Sequence, residues 1–228
     1  METQLIYLAR HGETPSHKRG VYQGYKINES LNETGIEQAG LLGKSLKKYF
    51  PMPSIIYSSP ALRALETACI IKNELVGTRK YPEIHQIHDL HEINHGDWEG
   101  RTDQEIKNEY PELLELWLKD PMRIAFPGEG GEVMEEAQIR ILNAFHYILK
   151  QSRRRKAILI VAHGGTNLQI LSEIIGTKYI RSFAQGQTCL NIIARSGKTY
   201  QILLLNSLIH LAETAQGMPL KSYKGRLL

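Results

Sequence analysis

Two histidine residues stand directly after apolar, strand-like runs of this sequence. Arg10 and His11 end the run that starts at Leu5, and His163 ends the run Ala157–Ala162. Ligands of open α/β sheets bind outside the carboxyl ends of the strands. One strand with polar residues at its end would mean little, but the same pattern occurs twice: a strand, a histidine, and then a glycine that is expected to form a turn. We therefore expect both histidines to face one substrate.

Two further charged residues are predicted to reach the same edge of the sheet. Arg63 falls in the first turn of a helix that we expect to start at 58–60 with a hydroxyl cap and an early proline. The positive end of a helix disfavours a lone cation unless an anion lies between them. Glu92 ends a segment that begins at Ile84 and is predicted to be extended. Taken singly, Arg63 could be a surface arginine and Glu92 a solvated loop carboxylate.

Together these groups suit the chemistry of phosphate esters. Guanidinium groups and a second imidazole favour an anion with several oxygens. A neutral His11 is a competent nucleophile toward phosphorus, and the arginines would stabilise charge on the transferring phosphoryl group. The Glu92 carboxyl group would protonate the leaving alkoxide and then deprotonate water.

Such a site needs no metal, and the sequence offers no convincing metal site. Four histidines are close together in the chain, but their spacing fits neither a helical ligand pair nor a Cys/His finger. They are His85, His88, His91 and His95. Cys69 and Cys189 form neither a metal-ligand spacing nor a disulfide framework, which favours the reducing cytoplasm.

Strand and helix patterns alternate along the chain, which predicts one doubly wound, three-layer α/β domain with a mostly parallel central sheet. A long loop at 16–33, directly after the first strand, is expected to face substrate, and a capping box at 34–37 is expected to start the next helix. A small helical cap is predicted over about 101–130. The expected helices are 34–49, 58–71, 103–109, 111–118, 132–151 and 167–175; the expected strands are 55–57, 157–162 and a hairpin of 189–194 with 199–205.

Composition limits the classes of partner. The 228 residues carry a formal net charge of +4 and contain no apolar run long enough to span a membrane. The basic run Arg153–Lys156 lies between a predicted helix and strand, where cations complement a helix C-terminus. We expect no nucleic-acid partner, no membrane partner and a cytoplasmic location. The oligomeric state stays open, with a homodimer as one alternative.

At this point the sequence resembles the histidine phosphatase superfamily, whose fold is that of phosphoglycerate mutase. The resemblance covers nearly the whole chain and is carried by several motifs in one order. These motifs are Leu8-Ala9-Arg10-His11-Gly12-Glu13-Thr14, Gln23-Gly24, Ser30 to Gly35, Tyr57 to Ala64, Leu90-His91-Glu92, Gly96-Asp97-Trp98-Glu99-Gly100 and Val161-Ala162-His163-Gly164.

The resemblance implies a role for each matching residue. His11 would become phosphohistidine, Arg10, Arg63 and His163 would hold the phosphoryl group, and Glu92 would be the general acid and then the base. Further substrate-binding candidates are His17, Gln23, Gly24 and Gly164. Family members often have Trp-Asn where this chain has Ser16-His17, so His17 would have to replace an asparagine that commonly contacts phosphate. The resemblance implies no cofactor and no metal.

Three functions remain as alternatives. The first is a phosphomonoesterase acting on a small phosphorylated metabolite, and the second is a cofactor-dependent phosphoglycerate mutase. The glycolytic mutases carry a long insertion after the Trp-Glu-Gly motif, whereas this chain has a shorter segment there, which favours hydrolysis. The third is a non-catalytic binding module on the same fold. We predict a catalytic domain over 1–206 and a C-terminal tail over 207–228.

Overall fold

The computed structural model describes residues 3–75, 82–177 and 182–212. Its centre is a six-stranded sheet with the strand order β3-β2-β4-β1-β5-β6. The strands are β1 (Gln4–Arg10), β2 (Ile55–Ser58), β3 (Glu83–Gln86), β4 (Ala157–Ala162), β5 (Leu190–Ser196) and β6 (Thr199–Ser207). The β1/β4, β2/β4 and β2/β3 pairs are parallel, whereas β5 is antiparallel to both β1 and β6. The predicted mostly parallel sheet and the C-terminal hairpin are confirmed.

Two apolar cores cover the two faces of this sheet, because successive side chains of a strand point to opposite faces. Ile6 and Leu8 of β1 belong to one core, and Tyr7 and Ala9 belong to the other. The α-helices of the described residues are α1 (Pro15–Arg19), α2 (Glu33–Tyr49), α3 (Leu62–Glu74), α4 (Asp103–Glu109), α5 (Pro111–Lys119), α6 (Met134–Gln151) and α7 (Gly164–Ile175). The first core also contains side chains from α6 and α7, and the second contains side chains from α2 and α3.

The register of β1 and β4 explains why the two histidines become neighbours. Arg10 of β1 lies opposite Ala162 of β4 in the parallel pair. The next residues are therefore His11 and His163, and the His11 amide donates to the Ala162 carbonyl at 3.0 Å. Both imidazoles leave the sheet at its carboxyl edge.

The glycines after the two strands have a different purpose from the predicted turn. Gly12 has no positive φ; a Cβ there would lie 2.5 Å from the Gly35 carbonyl oxygen, so it permits a close approach of two backbone segments. Gly164 and Gly165 form the first turn of α7, which starts three residues earlier than predicted. A Cβ on Gly165 would lie 2.7 Å from a carboxylate oxygen of Glu92.

Other boundaries differ from the sequence predictions for local reasons. Helix α2 is capped by Asn32, whose side chain accepts from the Gly35 amide, and not by the predicted box at 34–37. Helix α3 starts at Leu62 without a side-chain cap, so the hydroxyl cap predicted at 58–60 was wrong. The extended segment predicted to Glu92 ends at Gln86, and a 3-10 turn follows.

The segment at 101–130 contains the two predicted short helices, α4 and α5. Their apolar side chains join the first core through Trp98, Trp117 and Phe126. In the region predicted as a tail, Leu208 and Leu211 are buried beside Cys189; 213–228 lie outside the described residues. No helix in the described part of the chain is long and apolar enough to cross a bilayer.

Candidate active site

His11 is buried at the carboxyl end of β1 and has a defined tautomer. Its Nδ1 lies 2.8 Å from the carbonyl oxygen of Gly12, an acceptor only, so Nδ1 carries the proton. Nε2 therefore keeps its lone pair, which accepts from Arg63 Nε at 3.3 Å. Burial lowers the pKa of His11 well below its usual range, and the nearby charge of Arg63 lowers it further. His11 is thus a neutral imidazole whose unprotonated nitrogen faces a cation.

Arg63 is almost completely buried, at 1% exposure, in the first turn of α3. Its Nη1 and Nη2 donate to the carbonyl oxygens of Ile27 and Gly24, both at 2.9 Å. Burial lowers the pKa of Arg63 to about 10, and the Glu92 carboxylate acts in the opposite direction. The guanidinium is therefore still charged at neutral pH.

His163 lies beside His11 with ring centroids 5.1 Å apart. Its Nε2 is 2.8 Å from the Ser59 hydroxyl. Its Nδ1 is buried and has no hydrogen-bond partner within the described ranges. A buried polar atom without a partner is costly, and an oxygen of a bound anion would satisfy it.

Arg10 connects the site to the loop after β1. Its Nη1 donates to the Gln185 carbonyl at 2.6 Å, and its Nη2 lies 2.7 Å from His17 Nε2. His17 Nδ1 in turn is 2.7 Å from the Thr14 hydroxyl, which donates to Gln23 Oε1. The His17 and His11 rings are 5.4 Å apart. His17 thus reaches the group of predicted residues, and Gln23 supports it indirectly.

Glu92 is bound to the N-terminus of α7, next to His163. Its carboxylate accepts from the backbone amides of Ile93, Gly165 and Thr166, each at 3.0 Å. The Thr166 hydroxyl adds a contact at 3.3 Å. Helix N-termini attract carboxylates because their amides lack intrahelical partners. The acid predicted from sequence is therefore anchored to the helix that His163 precedes.

Gly24 and Gly164 differ in how much they need to lack a side chain. The Gly24 carbonyl accepts from Arg63, and a Cβ on Gly24 would lie 2.4 Å from Glu99. A Cβ on Gly164 would lie 3.5 Å from the guanidinium of Arg10, which is an ordinary contact distance. A side chain is therefore excluded at Gly24, whereas Gly164 only lies next to Arg10.

Glu99 is a functional residue that the sequence analysis named only as part of a motif. Its carboxylate accepts from the backbone amides of Tyr25, Lys26 and Ile27 at 2.9 to 3.1 Å. This contact fixes the loop whose carbonyl oxygens hold Arg63. The dense charged segment at 96–100 was the available signal, but its partner lies more than 70 residues away.

The clustered histidines pack mainly with aromatic rings. His91 lies 4.6 Å from the ring of Tyr25, and His95 lies 4.7 Å from the ring of Phe126. Among the described residues, no group of three or more His, Cys, Asp or Glu side chains could hold a metal ion. Cys69 and Cys189 are both free thiols.

Comparison with known proteins agrees with this geometry. A sequence profile described as histidine phosphatase superfamily (branch 1) matches residues 6–208. The chain belongs to the histidine phosphatase superfamily. It is 28% identical over 213 residues to phosphoserine phosphatase 1 of Hydrogenobacter thermophilus, covering 91% of this chain and 94% of that protein.

Two other superfamily members illustrate the range of similar proteins. A metal-independent phosphoserine phosphatase of Arabidopsis thaliana is 32% identical over 164 residues, 72% of this chain and 66% of that protein. The crystal structure of the alpha-ribazole phosphatase from Shigella flexneri is 28% identical, with a TM-score of 0.76, covering 90% of this chain and 97% of that one. The predicted family and fold are confirmed.

Proposed function

We propose that this protein is a metal-independent phosphomonoesterase that hydrolyses a small phosphorylated metabolite through a phosphohistidine on His11. The observation that carries the proposal is the position of His11 Nε2. This unprotonated atom lies 3.3 Å from Arg63 Nε, and the His11 ring lies 5.1 Å, between centroids, from the ring of His163, whose buried Nδ1 has no hydrogen-bond partner among the described residues. A nucleophile surrounded by donors suits transfer of a phosphoryl group, whose oxygens carry the negative charge.

The first half-reaction forms the phosphoenzyme. His11 Nε2 attacks phosphorus as the bond from phosphorus to the ester oxygen breaks, and protonated Glu92 gives that oxygen its proton. Arg10, Arg63 and His163 Nδ1 donate to the phosphoryl oxygens. The hydrogen bond from His11 Nδ1 to Gly12 keeps the ring oriented while Nε2 becomes bonded to phosphorus.

The second half-reaction returns the enzyme to its starting state. Glu92, now a carboxylate, takes a proton from water as the water oxygen attacks phosphorus. The bond from phosphorus to nitrogen breaks, inorganic phosphate leaves, and Glu92 holds the proton for the next cycle. One carboxyl group serves both halves because the leaving oxygen and the attacking water occupy the same side of phosphorus.

His17, Gln23, Gly24 and Gly164 complete the proposed phosphate site. His17 would replace the asparagine of other family members by orienting Arg10, with which it is already paired at 2.7 Å. The rest of the substrate would contact the 16–30 loop and the cap at about 101–130. Phosphoserine and α-ribazole phosphate are the first substrates to test, because they belong to named relatives.

A phosphoglycerate mutase is the second candidate function. A mutase must keep its product bound for a second transfer, and a shorter cap segment admits water more readily. All five predicted positions carry the residue types that the reaction needs, which argues against a non-catalytic module. They are Arg10, His11, Arg63, Glu92 and His163. We also propose that the enzyme is cytoplasmic and has no nucleic-acid or membrane partner. A homodimer is one alternative for its oligomeric state, and sedimentation of the purified protein tests it.

A phosphate-release assay tests this function. We expect the wild-type protein to release phosphate from p-nitrophenyl phosphate and from members of a metabolite panel, with activity unchanged by a chelator. His11→Ala should lower the rate by at least about a thousandfold, because removal of a nucleophile abolishes the covalent route. Lys44→Gln, on the exposed face of α2, is the control. Phosphate release that persists in His11→Ala, or isomerisation without net release, would contradict the proposal.

A further inference from the structure

An arginine–glutamate pair beside the backbone of Glu92 has no part in the function proposed so far. Arg140 of α6 and Glu132, just before that helix, form a two-point ion pair with distances of 2.6 and 2.8 Å. Their side chains are only 17% and 19% exposed. An isolated surface ion pair contributes little to stability. The further hydrogen bonds of Arg140 and Glu132 therefore indicate what this pair does.

The rest of the Arg140 guanidinium is directed at the backbone that carries Glu92. Arg140 Nη1 donates to the carbonyl oxygens of Asp89 and His91, both at 3.0 Å. Its Nη2 donates to the Glu92 carbonyl at 3.3 Å. Asp89 lies in the 3-10 turn His88–Leu90, and His91 and Glu92 follow that turn without entering another helix or strand. These carbonyls therefore depend on side-chain donors.

Glu132 holds the same segment from its other end. One carboxylate oxygen accepts from the Asn94 amide at 2.8 Å, and the Glu132 amide donates to the Asn94 carbonyl at 2.9 Å. Burial acts to raise the pKa of Glu132, but the hydrogen bonds from Arg140 and Asn94 bring it below its usual value. The pair thus forms hydrogen bonds to the backbone on both sides of Glu92.

We infer that Arg140 and Glu132 are positioning residues that hold Glu92 in line with the leaving oxygen of the substrate. This inference rests on the function proposed above. The Glu92 carboxylate lies on the amides of α7, while its own backbone is fixed by α6 through Arg140. Both anchors are needed because a carboxyl group that transfers a proton must keep its geometry to a fraction of an ångström.

The inference predicts a selective loss of activity on esters that need proton donation. p-Nitrophenolate leaves without a proton, whereas phenolate and alkoxides need one. Arg140→Gln and Glu132→Gln should therefore lower kcat/KM for phenyl phosphate about tenfold more than for p-nitrophenyl phosphate. Glu136→Gln makes the same change as Glu132→Gln on an exposed residue of α6, and it should leave the ratio of the two kcat/KM values unchanged.

A merely structural role gives a different result. Both substrates are measured on one preparation, so a partly unfolded variant lowers both values without changing their ratio. When Glu92→Gln is already present, adding Arg140→Gln should not change the ratio of the two kcat/KM values further, because the two residues act as one unit. Equal losses on both substrates, or additive effects in the double variant, would overturn the inference. A wild-type protein that releases no phosphate, or a fully active His11→Ala, would instead refute the proposed function itself.

Discussion

At the scale of single residues, burial keeps His11 in the form that the proposed attack on phosphorus requires. The ring lies among Arg63, Arg10 and His163, and burial together with these neighbours favours the uncharged form. A protonated ring would have no lone pair to offer phosphorus. The cations that would bind the substrate's charge therefore also help to keep the proposed nucleophile neutral.

This electrostatic arrangement predicts the pH dependence of the nucleophile. Because the pKa of His11 is well below 6.5, the ring should remain neutral at pH 6, where an unperturbed histidine would be largely protonated. Nitrogen NMR of labelled protein should show an unprotonated Nε2 and a protonated Nδ1 at pH 6, with His11→Gln used to assign the signal. A ring that titrates with a midpoint near 6.5 would contradict the electrostatics.

Residue types were predictable from sequence more readily than residue states. Arg10, His11 and His163 could be identified because each ends an apolar strand. The tautomer of His11 depends on the orientation of the Gly12 carbonyl, and the partnership of His17 with Arg10 depends on the short helix α1. Neither is encoded in the spacing of residues along the chain.

At the scale of elements, the loop at 24–27 links Glu99 to Arg63. The Glu99 carboxylate accepts hydrogen bonds from backbone amides of this loop, and carbonyl oxygens of the loop accept hydrogen bonds from Arg63. Glu99 therefore supports Arg63 through the loop. Arg63, in turn, donates to Nε2 of His11, the proposed nucleophile.

This connection predicts a loss that is independent of the leaving group. In Glu99→Gln, one carboxylate oxygen becomes an NH₂ group that cannot accept, so the loop loses part of its support and Arg63 shifts. We expect kcat/KM to fall about ten- to a hundredfold on phenyl phosphate and p-nitrophenyl phosphate alike.

The control for this variant is Glu37→Gln on the exposed face of α2, which should retain wild-type activity. Near-normal kcat/KM values for Glu99→Gln, with an unchanged fold, would refute the role of the loop. A loss confined to phenyl phosphate would place Glu99 with Glu92 instead of with Arg63.

The elements themselves were predictable where the apolar pattern is strong. Strand β4 and helix α4 have the predicted bounds: β4 is apolar throughout its length, and Thr102 and Glu105 form a capping box at the start of α4. The start of α7 was predicted three residues late, since Gly164 and Gly165 were interpreted as a turn. The carboxylate of Glu92, which is distant in sequence, lies at the N-terminus of that helix. It leaves no room for a side chain on Gly165.

At the scale of the whole molecule, two halves of the chain meet at one edge of the sheet. β1 and β4 are separated by more than 140 residues, yet their register places His11 and His163 together. The alternation of strands and helices was enough to predict this meeting. The hydrogen bonds from Arg140 and Glu132 to the backbone around Glu92 were not predictable, because they depend on how α6 packs beside the 3-10 turn.

The central claim is that the phosphoryl group passes through His11, and trapping the intermediate tests it most directly. The enzyme should be mixed rapidly with p-nitrophenyl phosphate, quenched in alkali, digested and sequenced by mass spectrometry. We predict an alkali-stable, acid-labile phosphate on His11, formed no more slowly than steady-state turnover and absent from His11→Ala. Turnover without phosphate on any histidine, or with the phosphate on a different residue, would contradict the account.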